Sequence, residues 1–161
     1  LRLTLSIIMF YSKSAKYAIQ AMIYLAVKEG QGLIMVSEIA DAYKIPQSFL
    51  SKITRTLRKH HLVHSTRGRN GGIELAKEKN EILINEILFA IDGPESLVPK
   101  CGFGYDSCTD ALPCPFHHRW KDTVTQVHEL MEKETLGNLA RDVVKRNYLP
   151  GMKKTDFDIF A

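Results

Sequence analysis

Cysteine is scarce in this sequence, and all of it lies in one place. The 161 residues include three cysteines, Cys101, Cys108 and Cys114. An odd number of thiols cannot all pair within one chain, so a closed disulfide framework would leave one over. No apolar run reaches the roughly 20 residues of a membrane span, and LRLTLSIIMF is not followed by a small-residue cleavage site. We therefore expect a cytoplasmic protein without a membrane partner, whose reduced thiols bind metal.

Acidic residues are missing from residues 48–69, although the whole chain has 18 of them. The net charge of +4 favours an anionic partner only weakly. The local concentration of base predicts a phosphate-binding surface, whereas a merely solvated cationic face is the alternative. The basic residues of the stretch are Lys52, Arg55, Arg58, Lys59, Arg67 and Arg69, with His60, His61 and His64 among them.

Hydrophobic spacing predicts a pair of short helices joined by a tight turn. After a first helix over 13–29, Ser37 is the expected N-cap of the helix SEIADAYK. Pro46 is expected at the first position of the next helix, which runs to about His60. The second helix of the pair leaves serine and basic side chains outside its apolar stripe, as in a helix-turn-helix.

A hairpin is predicted directly after that helix. Leu62 to Ser65 and Ile73 to Leu75 have strand character, and a glycine-rich turn separates them. A hairpin in this position is a wing, and Arg67 and Arg69 at its tip could reach phosphates or a minor groove. An ordinary surface hairpin is the alternative.

The cysteines lie in a long segment between two predicted helices, residues 82–92 and the helix that begins near His117. Such a long loop in a compact domain usually has a function. Three thiolates and the imidazole of His117 are ligands for an iron–sulfur cluster or zinc. Zinc sites usually pair ligands two to four residues apart, which this loop does not do. Reversibly oxidised thiols are a third interpretation.

The helix after the cysteines carries an apolar seam, Trp120, Val124, Val127 and Met131. Its heptad-like spacing favours pairing with a second copy of the chain. Packing within the chain onto the first helix would explain the same stripe. We find no nucleotide fingerprint or hydrolytic triad, so an electron-transfer protein, a redox enzyme and a zinc module that docks on a protein are weaker alternatives.

The order of these parts resembles the family of bacterial winged helix-turn-helix regulators that includes IscR and NsrR, the Rrf-two family. The likeness covers about residues 9–145. The stretches that carry it, besides the three cysteines before Trp120, are MFYSKSAKYAIQAM, SFLSKITRTLRKHHLV, STRGRNGGIEL, INEILFAIDG and TLGNLA.

The resemblance implies a homodimer on a palindromic promoter site, usually a repressor. It implies an iron–sulfur cluster held by the three cysteines, with His117 as the fourth ligand of a 2Fe–2S centre. A 4Fe–4S centre is less favoured, because Lys16 stands where NsrR-like members have an acidic ligand. Asp106 or Asp110 would be another oxygen ligand. Ser48, Ser51 and Lys52 match the family's base-reading residues, and Arg67 matches its wing arginine.

We therefore expect a mainly α-helical protein, not an enzyme, built from a winged helix-turn-helix domain, a cysteine loop and a long dimerisation helix. The DNA-binding domain is expected at 9–92 and the cluster-binding loop at 93–118. The dimerisation helix and a last helix follow at 119–147, and then a flexible tail at 148–161. Met9 is the expected initiator, which makes residues 1–8 a non-native extension.

Overall fold

The computed structural model describes residues 11–68, 70–94, 101, 110–146 and 148–149. The predicted extension at 1–8, the wing residue Arg69, Cys108 and most of the predicted tail lie outside the described residues. Within the described part of the chain, no helix is both long enough and apolar enough to cross a membrane.

The predicted fold class is confirmed: the described residues form α-helices around one antiparallel hairpin. The hairpin pairs Val63 with Leu75 and Thr66 with Gly72 at its two ends. In chain order the elements are α1 (Lys13–Val27), α2 (Val36–Tyr43), α3 (Gln47–Lys59), β1 (Val63–Thr66), β2 (Gly72–Leu75), a 3-10 turn (Lys79–Glu81), α4 (Ile84–Asp92), α5 (His117–Lys133) and α6 (Leu136–Arg146).

Helix α1 lies at the centre of the core. Its inward face alternates small and long side chains, with Ala18, Ala21 and Met22 fully buried. Helices α4 and α6 both pack against it. The Ser12 side chain caps α1 by accepting from the Ala15 N–H at 3.1 Å. The Asp92 carboxylate accepts from both the hydroxyl and the N–H of Ser12, which joins the start of α1 to the end of α4.

Two predicted helix starts are displaced, that of α2 by two residues and that of α3 by one. Helix α2 begins at Val36, and its N-cap is Met35 rather than Ser37, without a side-chain cap. The reason is that Ile34 is paired through both backbone groups with Ile73, so the chain can enter the helix immediately afterwards. Pro46 is the N-cap of α3 and not its first residue. The turn between the helices places Lys44 in the left-handed region, with φ 54°.

The apolar seam predicted on α5 is partly used inside the chain. Trp120 is buried, and Val124 is only 2% exposed. Helix α5 packs on α4. Leu130 remains 61% exposed. These two inward-facing residues therefore do not require a second copy of the chain for their burial.

Helix α6 returns the chain to the core. The Leu136 N–H donates to the Ile82 carbonyl at 2.8 Å, just before α4 begins. Gly137 approaches the 3-10 turn so closely that a Cβ there would lie 1.9 Å from Asn80 Oδ1. Leu149, which the sequence assigned to the tail, is buried in the same core. Residues far apart in sequence thus form a single core that supports α3.

Candidate DNA interface and cysteine loop

The face of α3 that points away from the core carries the predicted DNA-binding residues. Ser48, Lys52 and Arg55 are exposed, and Ser51 is half-buried. The opposite face is buried through Leu50, Ile53, Thr54 and Leu57. Ser48 and Ser51 lie in the first turns of α3, where the partial positive charge of the helix attracts anions. The structure thus brings these residues together on one accessible helix face.

Arg58 has a different position from the other basic residues. Its guanidinium Nη1 donates a hydrogen bond to Ser65 Oγ at 3.2 Å, which connects α3 with strand β1. Sequence reasoning assigned Arg58 to DNA and overlooked Ser65. The contact makes Arg58 a link between the two parts of the candidate interface, α3 and the hairpin.

The tip of the hairpin has a backbone that suits glycine. Gly68 has φ +111°, and the Gly71 N–H donates to the Gly68 carbonyl at 3.0 Å. A Cβ on Gly71 would lie 2.3 Å from the Thr66 carbonyl oxygen, which a real side chain does not tolerate. Arg67 is exposed at the end of β1. The turn therefore holds Arg67 next to the end of β1, exposed to solvent and away from the core.

A polar network fixes α2 on α1 behind this interface. Tyr24 Oη and Lys28 Nζ both donate to Glu38 Oε1, at 2.9 Å and 2.8 Å. Partial burial by itself would raise the pKa of Glu38, but the hydrogen bonds from Lys28 and Tyr24 and the charge of Lys28 outweigh it and lower that pKa. The pKa of Lys28 is raised, because its contacts with Glu38 and Tyr24 outweigh desolvation.

The described part of the cysteine loop places two predicted ligands on one turn. The His117 N–H donates to the Cys114 carbonyl at 2.9 Å, and His117 begins α5. Cys101 and Cys114 are half-buried, and the His117 side chain is 2% exposed. Among the described residues, no three His, Cys, Asp or Glu side chains are close enough to hold a metal ion.

Asp110 occupies a position between two basic side chains of α5. Its Oδ1 lies 2.8 Å from Nε2 of His117, and Lys121 Nζ donates to both of its oxygens, at 2.9 Å and 2.7 Å. The hydrogen bonds from Lys121, and then that with His117, lower the pKa of Asp110 to about 2. Sequence reasoning considered Asp110 only as a substitute ligand, and it had no signal for Lys121.

The residues present fit an iron–sulfur cluster in their donor chemistry. Thiolates with one imidazole form a known ligand set, and this substitution of one thiolate raises the reduction potential. Cys114 and His117 are held on the same turn, and neither Cys101 nor Cys114 is fully buried. The third thiol, Cys108, lies outside the described residues.

A helix pair with an exposed basic second helix, followed by a hairpin with an arginine at its end, defines a winged helix-turn-helix protein that binds DNA. The chain belongs to the Rrf2 family, whose family description is iron-dependent transcriptional regulator and whose match covers residues 11–142. It is accordingly a transcriptional regulator, and its relatives are regulators and not enzymes.

The alignments with two named regulators cover most of this chain. The chain is 31% identical over 142 residues to the regulator NsrR of Oceanobacillus iheyensis, covering 88% of this chain and 97% of NsrR. It is also 31% identical over 140 residues to IscR of Sodalis glossinidius, covering 84% of each protein.

The chain is also similar to solved structures, at nearly the same sequence identity as to these two relatives. CymR, described as the global cysteine regulator of B. subtilis, has a TM-score of 0.66 and 29% identity, over 81% of this chain and 95% of CymR. A structure of the oxidized form of Staphylococcus aureus CymR also has a TM-score of 0.66, with 28% identity over 82% of this chain and 96% of that one.

Proposed function

We propose that this protein is a cytoplasmic homodimeric regulator, usually a repressor, whose affinity for a palindromic promoter site depends on an iron–sulfur cluster. Cys101, Cys108 and Cys114 would hold the cluster, with His117 as the fourth ligand of a 2Fe–2S centre. The observation that carries the proposal is the turn from Cys114 to His117, because it joins candidate ligands directly to the helix that packs on the DNA-binding domain. The names of the IscR and NsrR relatives support it.

The candidate interface divides into base-reading and backbone-binding groups. Ser48, Ser51 and Lys52 lie near the start of α3, the part of a recognition helix that usually contacts base edges. Arg55, Arg67 and Arg69 would bind phosphates or enter a neighbouring minor groove. Arg58 would keep its cationic charge near the DNA while it also orients the hairpin through Ser65.

The packing offers a route from the cysteine loop to α3. His117 is the first residue of α5, and α5 packs on α4. Helix α4 in turn packs on both α1 and α3. A change in the turn at Cys114 and His117 can therefore shift the first turn of α5 and, through α4, the helix that faces DNA. A cluster bound there would respond to redox state or nitric oxide, and the fraction of protein that carries it would follow the supply of clusters in the cell.

A dimer would place two α3 helices on one operator, since paired half-sites lie one helical turn of DNA apart. Because Trp120 and Val124 are used within the chain, the pairing surface we propose on α5 is the outward face with Leu130. Size measurement of the purified protein tests this part separately.

Thiol chemistry without a cluster is the second candidate function. The similar structure of CymR in an oxidized form favours it, as does the partial solvent exposure of Cys101 and Cys114, because an oxidant must reach a reactive thiol. A zinc-dependent regulator of the same fold has less support because the ligand spacing is unusual for zinc.

Anaerobic purification followed by an absorption spectrum and metal analysis separates these candidates. We expect bound iron and sulfide with a broad band between about 400 and 500 nm, as thiolate-bound clusters show. Cys101→Ser or Cys114→Ser should remove the band while leaving the helical fold intact. Colourless protein that contains zinc, or no metal at all, would contradict the cluster and select the corresponding alternative.

A further inference from the structure

Asp110 is an unusual residue because its carboxylate is exposed but makes contacts with two different side chains of one helix. It lies seven positions before His117, outside α5, and reaches His117 Nε2 and Lys121 Nζ together. The Asp110 side chain is 67% exposed, whereas the His117 side chain is 2% exposed. The carboxylate thus anchors an imidazole that the protein otherwise covers.

The contact determines which atom of His117 can approach a metal. A histidine that ligates a metal through one ring nitrogen usually donates the N–H of the other nitrogen to a carboxylate or carbonyl. Such a partner fixes the tautomer and the ring orientation, and it makes the imidazole more basic. The Nε2–Asp110 distance of 2.8 Å is that of such a hydrogen bond.

We propose that Asp110 is a positioning residue that holds His117 Nε2, so that His117 meets the cluster through Nδ1, and that Lys121 holds Asp110 in place. This inference rests on the proposed iron–sulfur function and deepens it. It replaces the role of Asp110 as a substitute oxygen ligand. The carboxylate acts through His117, and Lys121 acts through the carboxylate.

The order of contacts predicts how variants combine. Asp110→Ala removes the anchor of the imidazole, and loss of such partners usually costs 10-fold to 100-fold in metal affinity. Lys121→Met should have a smaller effect, because Asp110 keeps its contact with His117. In the Asp110→Ala background, Lys121→Met should add nothing, since residues that act in series are not additive.

The test uses the full chain, reconstituted anaerobically with iron and sulfide. Histidine labelled with ¹⁵N at Nδ1 or at Nε2 is incorporated, and the reduced cluster is examined by pulsed electron paramagnetic resonance. We expect the large ligand coupling from the Nδ1 label only. We also expect cluster release to a chelator to be about 10-fold faster in Asp110→Ala, with Asp122→Asn, an exposed neighbour on α5, as the matched control.

The outcomes distinguish this inference from the proposed function. A large coupling from the Nε2 label, or wild-type release in Asp110→Ala, overturns the role of Asp110 and leaves a cluster regulator. A cluster without any histidine coupling overturns the role of His117 as well, while the three thiols remain. Wild-type protein that acquires no cluster overturns both proposals. Circular dichroism of each variant shows whether a faster release reflects unfolding instead.

Discussion

The DNA-binding region and the described part of the cysteine-loop region differ in how many buried apolar side chains hold them together. Between residues 11 and 92, buried apolar side chains and paired backbone groups fix the elements, as the Ile34–Ile73 bridge shows. In the described part of the loop and α5, Asp110 forms an exposed ion pair with Lys121, and Trp120 and Val124 supply buried apolar contacts. Exposed ion pairs usually contribute little to stability.

This difference assigns separate tasks to the two regions. A densely packed domain opens only at a cost close to global unfolding, whereas a segment with few buried contacts can rearrange locally. A ligand at the loop can therefore alter the position of α5 without unfolding the domain that carries α3. The contrast agrees with a regulator whose DNA-binding domain is rigid and whose cysteine loop can rearrange.

The largest expected effect is the loss of stability when a substitution creates a cavity in the DNA-binding region. Leu57 of α3 is 1% exposed, and Leu57→Ala should lower the free energy of unfolding by about 2–5 kcal/mol. Leu112 in the loop region is 85% exposed, so Leu112→Ala should change it by less than about 0.5 kcal/mol. Urea unfolding of the two variants measures both. Equal losses would mean that the loop region is as tightly packed as the domain.

The next effect concerns the outward face of α5. Leu130→Glu places a charge where we propose that two copies meet, so it should shift the protein toward monomers and weaken operator binding by at least about tenfold. Leu112→Glu adds the same charge outside the helix and should leave the dimer intact. Analytical ultracentrifugation gives the result, and an unchanged dimer in Leu130→Glu would place the interface elsewhere.

Two substitutions in the DNA-binding region distinguish a side chain that contacts DNA phosphate from one that only holds such a side chain in position. Arg67→Gln should reduce the slope of log affinity against log salt by about 1, because one phosphate contact is lost. Ser65→Ala removes the partner of Arg58 without changing any charge, so affinity should fall up to about fivefold at an unchanged slope. A reduced slope in Ser65→Ala would mean that Arg58 or its neighbours had also lost a phosphate.

The smallest expected effect is a change in acid stability. The folded-state pKa of Glu38 lies below its ordinary value, so the stability that its charge contributes is present above the unfolded pKa of about 4.3. This contribution is lost as pH falls through the lowered pKa. Glu38→Gln should therefore flatten the acid limb of the stability curve, and Glu132→Gln on α5 is the control. Parallel acid limbs in wild type and Glu38→Gln would contradict the network.

Much of the DNA-binding region could be predicted from the sequence, because it depends on local patterns. Apolar spacing in α3 and the glycines of the hairpin determine those elements directly. The start of α2 could not be found in this way, since it depends on the pairing of Ile34 with Ile73, 39 positions later. The role of Lys121 and the inward burial of Trp120 and Val124 likewise arise from tertiary packing.

In the function proposed here, the occupant of the cysteine loop controls how tightly the α3 helices bind DNA. The most direct measurement is the affinity of one anaerobic preparation for the DNA upstream of its own gene, before and after the cluster is removed by a chelator. We expect the two affinities to differ by at least about tenfold, or about 1.4 kcal/mol, and this difference to be lost in Cys114→Ser. Equal affinities for the two forms would contradict it.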